Sequence, residues 1–586
     1  MRFRLQPSAL ILTHCPLRHG STSTSKFAIA TFATIAHSPS TLPPTWKQDL
    51  DAHNYTSGRW LINNKQEQAL RIINFDFNAL CGFNRAFKFT FDNDKRLVAK
   101  LPFKVAGPPQ LTTASEVATV KYLQQKTKIP TPEIIDWSSD AANHVGSEYI
   151  IMEHMAGSSV WDKWSSMTIT QRIKFINAVY DHLKLLPKLD FPVYGSIYFD
   201  NEDMDPSLST KSIEDGFCIG PHCGREWWDR GLGKFHNHHK QVIREPWTDM
   251  LAYSNAIIDL GLAKLPATDP DPSTLEKPLP FYQGSVKTHL ELLEHARTLL
   301  AKMSNDMKIK LRSTPTLFHP DIQKQRIFVS DEDPTVITGF IGWQYTAIEP
   351  AFCYAHSTPN FVSQTTSTAV PSGAVEESAS KKPVQEETSS TECDTDTKIY
   401  SNTIESTTEA EEEAEKESKL QALQQVEQEH YTRMFDICLT YKIPQLGICN
   451  ATHVNTFRPF HISASTWSNG IIKLQHELLQ LRKEWKWLGF SGECPYPKQS
   501  PEFEVEHSKR YDVYKDVLEI RSMLANLLAV DFGDGWGFPE NWDLRERAHK
   551  ELYLEFLRAV KSECEEGNII RSEEDVRSVW PFDIPV

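Results

Sequence analysis

Two periods of apolar and polar residues run along this chain, and the change from one to the other divides it. From Phe87 the period is two. Phe87, Phe89 and Phe91 share a face, a turn follows at Asp92-Asn-Asp94, and Leu97, Ala99 and Leu101 return. That pattern predicts a β-hairpin with Lys100 on the face opposite those last three residues. Ile134-Ile135 and Tyr149 to Met152 predict two more strands. Between them, Ala114 to Leu123 reads as a helix. Thr113 and Glu116 have the spacing of a capping box, and Glu116 also shares a face with Val120 and Leu123.

Beyond Ser158 the period becomes helical. Trp161, Ile169, Ile173, Ile176, Val179 and Leu183 recur as one core stripe, and Thr248 to Leu265 and Val286 to Met303 read as further helices. Two later stripes are equally regular: Ile471, Leu474, Leu478, Leu481 and Trp485, then Val513, Val517, Ile520, Leu524 and Leu527. These read as core-facing helix positions.

One stretch breaks the helical pattern. Thr316–Phe318 and Ile327–Val329 are short strands flanking a polar loop with His319, Asp321 and Arg326, and Val336 to Trp343 returns as a third strand. A carboxylate held between two strands, with another strand beside it, is what phosphoryl transfer needs: a base for the acceptor hydroxyl and a neighbouring metal ligand.

This stretch resembles the catalytic loop of the aminoglycoside phosphotransferase and choline kinase-like family. Tyr55-Thr-Ser-Gly-Arg-Trp60, Gly82-Phe-Asn84, Ala106-Gly-Pro-Pro109, Thr113-Ala-Ser-Glu-Val-Ala118 and Glu148-Tyr-Ile-Ile-Met-Glu153 resemble its fungal mitochondrial branch, the altered inheritance of mitochondria protein nine group. The resemblance implies an α+β, protein-kinase-like two-lobed fold, with a small antiparallel-sheet N-lobe and a large helical C-lobe. It implies ATP as cofactor and a small-molecule acceptor. Lys100 would hold the phosphates, Glu116 would orient Lys100, the backbone of Glu153 to Met155 would read the adenine edge, and Asp321 would be the catalytic base.

The chain departs from the family at three places. The family's Asn position holds Arg326 and its metal-binding Asp position holds Gly342 in Ile341-Gly-Trp343. Both magnesium ligands are therefore missing, so magnesium is not expected to bind and no metal ligand is assigned. The third departure lies before Gly82-Phe-Asn84, where no strand of useful length precedes the hairpin and the phosphate lid is incomplete. Either that strand is lost or an exon is missing from the gene model. Three readings follow: a pseudokinase, which binds a nucleotide or an unknown protein partner or serves as a scaffold; an active kinase in which Arg326 replaces the metal on the phosphates; or a decayed or faulty gene. An Arg326–Asp321 salt bridge favours the first, because it blocks the base. A guanidinium reaching the phosphates favours the second.

Composition sets the remaining bounds. The 586 residues carry a net charge of −15, which argues against a nucleic-acid partner. No apolar run is long enough to span a bilayer, and ten scattered Cys suggest reduced thiols inside a cell. Residues 1–48 hold Arg2, Arg4, Arg18, Lys26 and Lys47 with no acidic residue, the composition of a mitochondrial transit peptide. Residues 49–155 are then the N-lobe, 156–355 the first part of the C-lobe, and 419–586 its helical remainder. Residues 356–418 read as a disordered acidic insert: Ala374 to Lys419 alone has 14 acidic and 5 basic residues. Cys218-Ile-Gly-Pro-His-Cys223, with His236, His238 and His239 beyond it, has spacing unlike a zinc ribbon or finger. Asp531-Phe-Gly533 spells a kinase metal motif but lies far from Arg326 and reads as a Gly-rich turn.

Overall fold

The structure is a computed structural model that describes residues 76–77, 83–90, 96–103, 106–143, 145–200, 207–231, 245–275, 278–363, 404–530, 542–562, 570 and 572–585. The Tyr55–Trp60 motif, the Asp92–Asp94 turn, His236, His238, His239, the Asp531–Gly533 stretch and the leader of residues 1–48 lie outside the described residues.

The N-lobe is a five-stranded antiparallel sheet in the order β1-β2-β3-β5-β4. Its strands are β1 (Asp76–Phe77), β2 (Asn84–Thr90), β3 (Arg96–Pro102), β4 (Ile134–Ser138) and β5 (Tyr149–Glu153). β2 and β3 form the expected hairpin in the register Phe87↔Ala99 and Ala86↔Lys100. β1 contributes two residues, Asp76↔Lys88 and Phe77↔Phe87, so a strand does precede Gly82, but a very short one.

Helix α1 (Leu111–Lys126) packs under this sheet and buries Val117, Ala118, Val120 and Leu123. The capping-box reading of Thr113 and Glu116 fails. The helix starts two residues before Thr113, and its N-cap Gln110 has a φ of 65° and no side-chain cap bond. The cap comes from across the lobe instead: the Gln110 amide donates to Glu148 Oε1 at 2.9 Å and the Thr113 hydroxyl to Glu148 Oε2 at 2.5 Å. Glu148 thereby supplies the charge that a helix N-terminus favours, and Glu116 is left for another partner.

The C-lobe is mainly helical. α2 (Ile169–Leu183) opens with a true capping box between Thr168 and Gln171. It buries Ile176, Val179 and Leu183 as the stripe predicts. Trp161 and Ile169 are exceptions, each more than 40% exposed. Trp161 lies before the helix, where Lys324 sits over its ring, and Ile169 is the first helical residue, so the helical phase of the stripe does not bring either inward.

α3 (Met250–Ala263) and α4 (Val286–Ser304) pack against each other within the main core. A small sheet, β7 (Ser196–Phe199), β8 (Lys211–Ser212) and β9 (Phe217–Gly220), packs through β7 on α1, and β6 (Ser158–Ser159) joins the loop region described below. α5 (Ile404–Lys442) lies along α2, fixed by Arg172–Glu427 at 3.2 Å and by Tyr180 against Phe435. It starts at Ile404, so the part of the expected disordered insert from 404 to 418 is helical, as a charge-rich run with few Gly or Pro can be.

α6 (Ile471–Glu484) buries every residue of its predicted stripe, Trp485 included. In α7 (Pro501–Leu528), Val517, Ile520 and Leu524 point inward as expected, but Leu528 is buried in place of Leu527. α7 joins α8 (Trp542–Ser562) and α9 (Glu573–Val579) around a second core centred on Trp580. No helix among the described residues is long and apolar enough to cross a membrane.

Candidate active site

β10 (Pro315–Leu317), β11 (Ile327–Val329), β12 (Ile337–Phe340) and β13 (Ile348–Pro350) form the frame of the loop. β11 pairs with β12 and with β6, and β10 pairs with β13. The loop between β10 and β11 is tied down by His319. Its Nε2–H donates to the Ile341 carbonyl at 3.0 Å, and its Nδ1 accepts the Asp321 amide at 3.1 Å. Burial lowers its pKa to about 4, so the ring is a neutral brace between loop and returning strand. Trp343 packs on it with centroids 4.5 Å apart.

The loop opens onto a cleft of about 900 Å³ between the lobes, lined by Lys100, Glu116, Glu153, Met155, Asp321 and Arg326 among others. The structure therefore brings all six sequence-predicted site residues to one cavity. Lys100 Nζ lies 2.5 Å from Glu116 Oε2, with both side chains more than 90% buried. Val98, Ile134, Met152 and Phe328 make the walls apolar. Met155 packs over Gly339: a Cβ there would come within 2.1 Å of its methyl group, so a larger residue at 339 would displace the Met155 side chain.

Arg326 Nε donates to Asp321 Oδ2 at 3.2 Å. Gly342 has a φ of +87°, and a Cβ there would lie 3.0 Å from Arg326 Cδ and 3.2 Å from Nε. The two departures from the family pattern are thus one feature, since the arginine side chain runs over the backbone where a side chain at 342 would begin. The residues present do not fit a magnesium ion. Asp321 is engaged by a guanidinium, Arg326 brings positive charge, and Gly342 has no side-chain oxygen to offer.

Several residues of the cleft escaped the sequence reading. Asn84 and Gln344 exchange two amide bonds across the lobes, 2.7 Å and 3.3 Å long, and both are buried. The Tyr345 hydroxyl donates to the Ala106 carbonyl, and Arg225 lies 3.7 Å from the centre of the Phe83 ring. Only the Gly82-Phe-Asn84 motif hinted at this seam. Nothing local marks Gln344, whose partner is 260 residues away.

Elsewhere along the cleft, His222 of the Cys218–Cys223 segment meets Glu349. Its Nε2 is 2.5 Å from Glu349 Oε1, and the Tyr253 hydroxyl donates to Glu349 Oε2 at 2.5 Å. Ligand atoms of His222, Glu226 and Glu349 lie within 4.8 Å of one another. Burial lowers the His222 pKa, but the nearby Glu349 carboxylate outweighs it and the net direction is upward. The Gly224 amide donates to Nδ1 at 2.9 Å, which places the ring proton on Nε2, facing Glu349. A metal on Nε2 would need that proton moved to Nδ1, against the Gly224 N–H. His222 and Glu349 are thus joined as a hydrogen-bonded pair, with the Glu226 carboxylate nearby.

An antiparallel sheet with one helix beneath it, a buried lysine–glutamate pair and a strand-framed loop over a helical lobe define the class: a two-lobed, kinase-like α+β protein. Comparison with known proteins finds similarities that are distant throughout. A subtelomeric hrmA-associated cluster protein of Aspergillus fumigatus is 24% identical over 528 residues, 82% of this chain and 92% of its own. Proteins named altered inheritance of mitochondria protein 9, mitochondrial, are similar too. That of Candida tropicalis is 25% identical over 304 residues, covering 48% of each chain, and that of Yarrowia lipolytica 24% over 260, covering 36% of this chain and 44% of its own. The match thus spans about half the length of those relatives. Among solved structures, an apo aminoglycoside phosphotransferase APH(4)-Ia mutant matches with 13% identity and a TM-score of 0.27, covering 48% of this chain and 70% of its own. A gentamicin complex of APH(2")-IIa matches with 12% identity and a TM-score of 0.27, covering 49% and 72%. No family model matches the chain.

Proposed function

We propose that this is a mitochondrial phosphotransferase-like protein whose catalytic loop is disabled, a pseudokinase. One observation carries the reading: the Arg326 guanidinium is bound to Asp321 and lies over Gly342. A base that already accepts an arginine N–H is poorly placed to take a proton from an acceptor hydroxyl. Phosphoryl transfer also depends on neutralising the triphosphate, and the positions that would hold the ions hold an arginine and a glycine. The mitochondrial assignment rests on the relatives named as mitochondrial and on the acid-free leader of residues 1–48.

The second reading, an active kinase with Arg326 in place of a metal, requires the arginine to leave Asp321 and reach the phosphates. A third, a scaffold for an unknown protein partner, is compatible with a disabled loop and leaves the cleft without a ligand.

The test is thermal melting of the full chain with ATP, with and without magnesium. Magnesium is expected to add no stabilisation to the native protein, and the double variant Arg326→Asn/Gly342→Asp is expected to gain a magnesium-dependent rise. A magnesium-dependent rise in the native protein would end the pseudokinase reading.

A further inference from the structure

Four large apolar side chains stand exposed together on the C-lobe. Met307 is 66% exposed, Leu311 65%, Ile448 52% and Trp487 70%, and none of them lines the cleft. We infer that this patch docks the protein on a membrane, a bilayer surface carrying anionic lipid. The inference goes beyond the proposed function and holds whether or not the catalytic loop is disabled.

The patch is continuous because the segments that carry it are tied to one another. Met307 and Leu311 lie four residues apart on a one-turn helix, Met307–Lys310, and share its outer face, while Ile309 between them is buried. The Lys308 ammonium donates to the Leu488 carbonyl at 2.6 Å, which sets Trp487 beside that turn. Arg312 Nε donates to the Thr452 hydroxyl at 2.6 Å, and that hydroxyl donates to the Ile448 carbonyl at 2.8 Å. The His453 ring meets Trp487 edge-on, with centroids 5.2 Å apart, and joins the last two segments.

The rim is cationic, although the chain as a whole carries −15. Met307 to Arg312 contains Lys308, Lys310 and Arg312 and no acidic residue, and Lys486 adjoins Trp487. Lys310 and Lys486 are exposed. Lys308 and Arg312 are bonded to carbonyl and hydroxyl oxygens, which leaves their charge in place. Of the neighbouring carboxylates, Asp306 caps the turn through the Lys308 amide and Glu484 accepts from Asn455. Glu493 stands beside Lys302, whose ammonium binds its carbonyl.

These features select the partner. A stable protein interface covers about 800 Å² on each side, from roughly 20–30 residues, and four apolar side chains on three short segments fall short of that. A bilayer surface asks for less: a few apolar side chains entering the headgroup boundary, a Trp at the interface and basic residues facing anionic headgroups. The long stems of Lys and Arg also reach past an inserted apolar tip and keep their charge among the headgroups.

The experiment is cosedimentation of the full-length protein with phosphatidylcholine vesicles, with and without phosphatidylglycerol. Binding is expected where phosphatidylglycerol is present and should weaken as salt is raised. Residues 1–48 carry their own positive charge into every sample, so the reading is the difference between variants. Leu311→Ser/Trp487→Ser and, separately, Lys310→Glu/Lys486→Glu are expected to lower the affinity at least about tenfold. Lys211→Glu/Lys287→Glu makes the same charge change at exposed sites elsewhere and is expected to leave it within about twofold. A loss as large in that control, or no loss in the patch variants, overturns the inference. So does equal binding to phosphatidylcholine alone, or binding to neither vesicle. Self-association of the native protein in analytical ultracentrifugation that the patch variants abolish also overturns it, and makes the patch an interface between copies of this chain.

Discussion

Two cation–carboxylate pairs line one cleft, and they differ in what holds them. Lys100 and Glu116 come from a strand and a helix, approach to 2.5 Å and are almost fully buried. Arg326 and Asp321 come from one loop, approach to 3.2 Å between Nε and Oδ2, and are 21% and 45% exposed. The first pair joins two elements of the fold, so its loss is felt as stability. The second joins neighbours that the loop already holds together, so its loss is felt mainly in what the cleft can bind. The two pairs are therefore tied to the fold to different degrees although they share one cleft.

Substitution should expose that contrast, and the largest effect belongs to the buried pair. Lys100→Met leaves the Glu116 carboxylate buried without its partner and should cost about 3–5 kcal/mol, read from urea unfolding. A loss below about 1 kcal/mol would mean that the pair is no more structural than the exposed one.

Acid comes next. His319 is held neutral, with its pKa lowered to about 4, whereas in the unfolded chain it titrates near the usual histidine value of about 6.5. The unfolded state then binds the extra proton first, so stability should fall as pH drops through that window, by up to about 3 kcal/mol. His461, His476 and His507 are lowered in the same direction, so the readout is the difference between the native protein and His319→Gln. The variant should show a shallower loss between pH 6.5 and 4, and parallel curves would remove His319 from the account.

Gln344→Ala tests the seam between the lobes. It leaves a buried Asn84 amide without its partner and should cost about 1–3 kcal/mol. The smallest change is expected for Arg326→Asn, at most about 1 kcal/mol by equilibrium unfolding, because an exposed pair contributes little. A larger loss would show that the loop depends on its arginine after all.

The sequence carried much of this where neighbours along the chain are also neighbours in space. The hairpin, the helical stripe of Ile471 to Trp485 and the strands around Asp321 follow from local periodicity, and the structure places them as that periodicity requires. Trp161 and Ile169 show its limit: helical spacing continued past the end of the helix that would have buried them. The capping box at Thr113 failed for a related reason, since Glu148, remote in sequence, reached the helix end first and left Glu116 to Lys100. Asn84 with Gln344, and His222 with Glu349, depend on packing between distant segments, and no period or motif announces such a meeting. The composition of residues 404–418 suggested disorder, but composition alone does not decide between a solvated coil and a long charged helix.

The contact between Arg326 and Gly342 couples the two positions. A carboxylate side chain introduced at 342 would start against the arginine, 3.0 Å from its Cδ, and replacing the arginine alone would open space beside a residue with no side-chain oxygen. The two positions therefore have to be exchanged together before this loop could present a pair of side-chain oxygens, and neither can be judged from its own substitution alone.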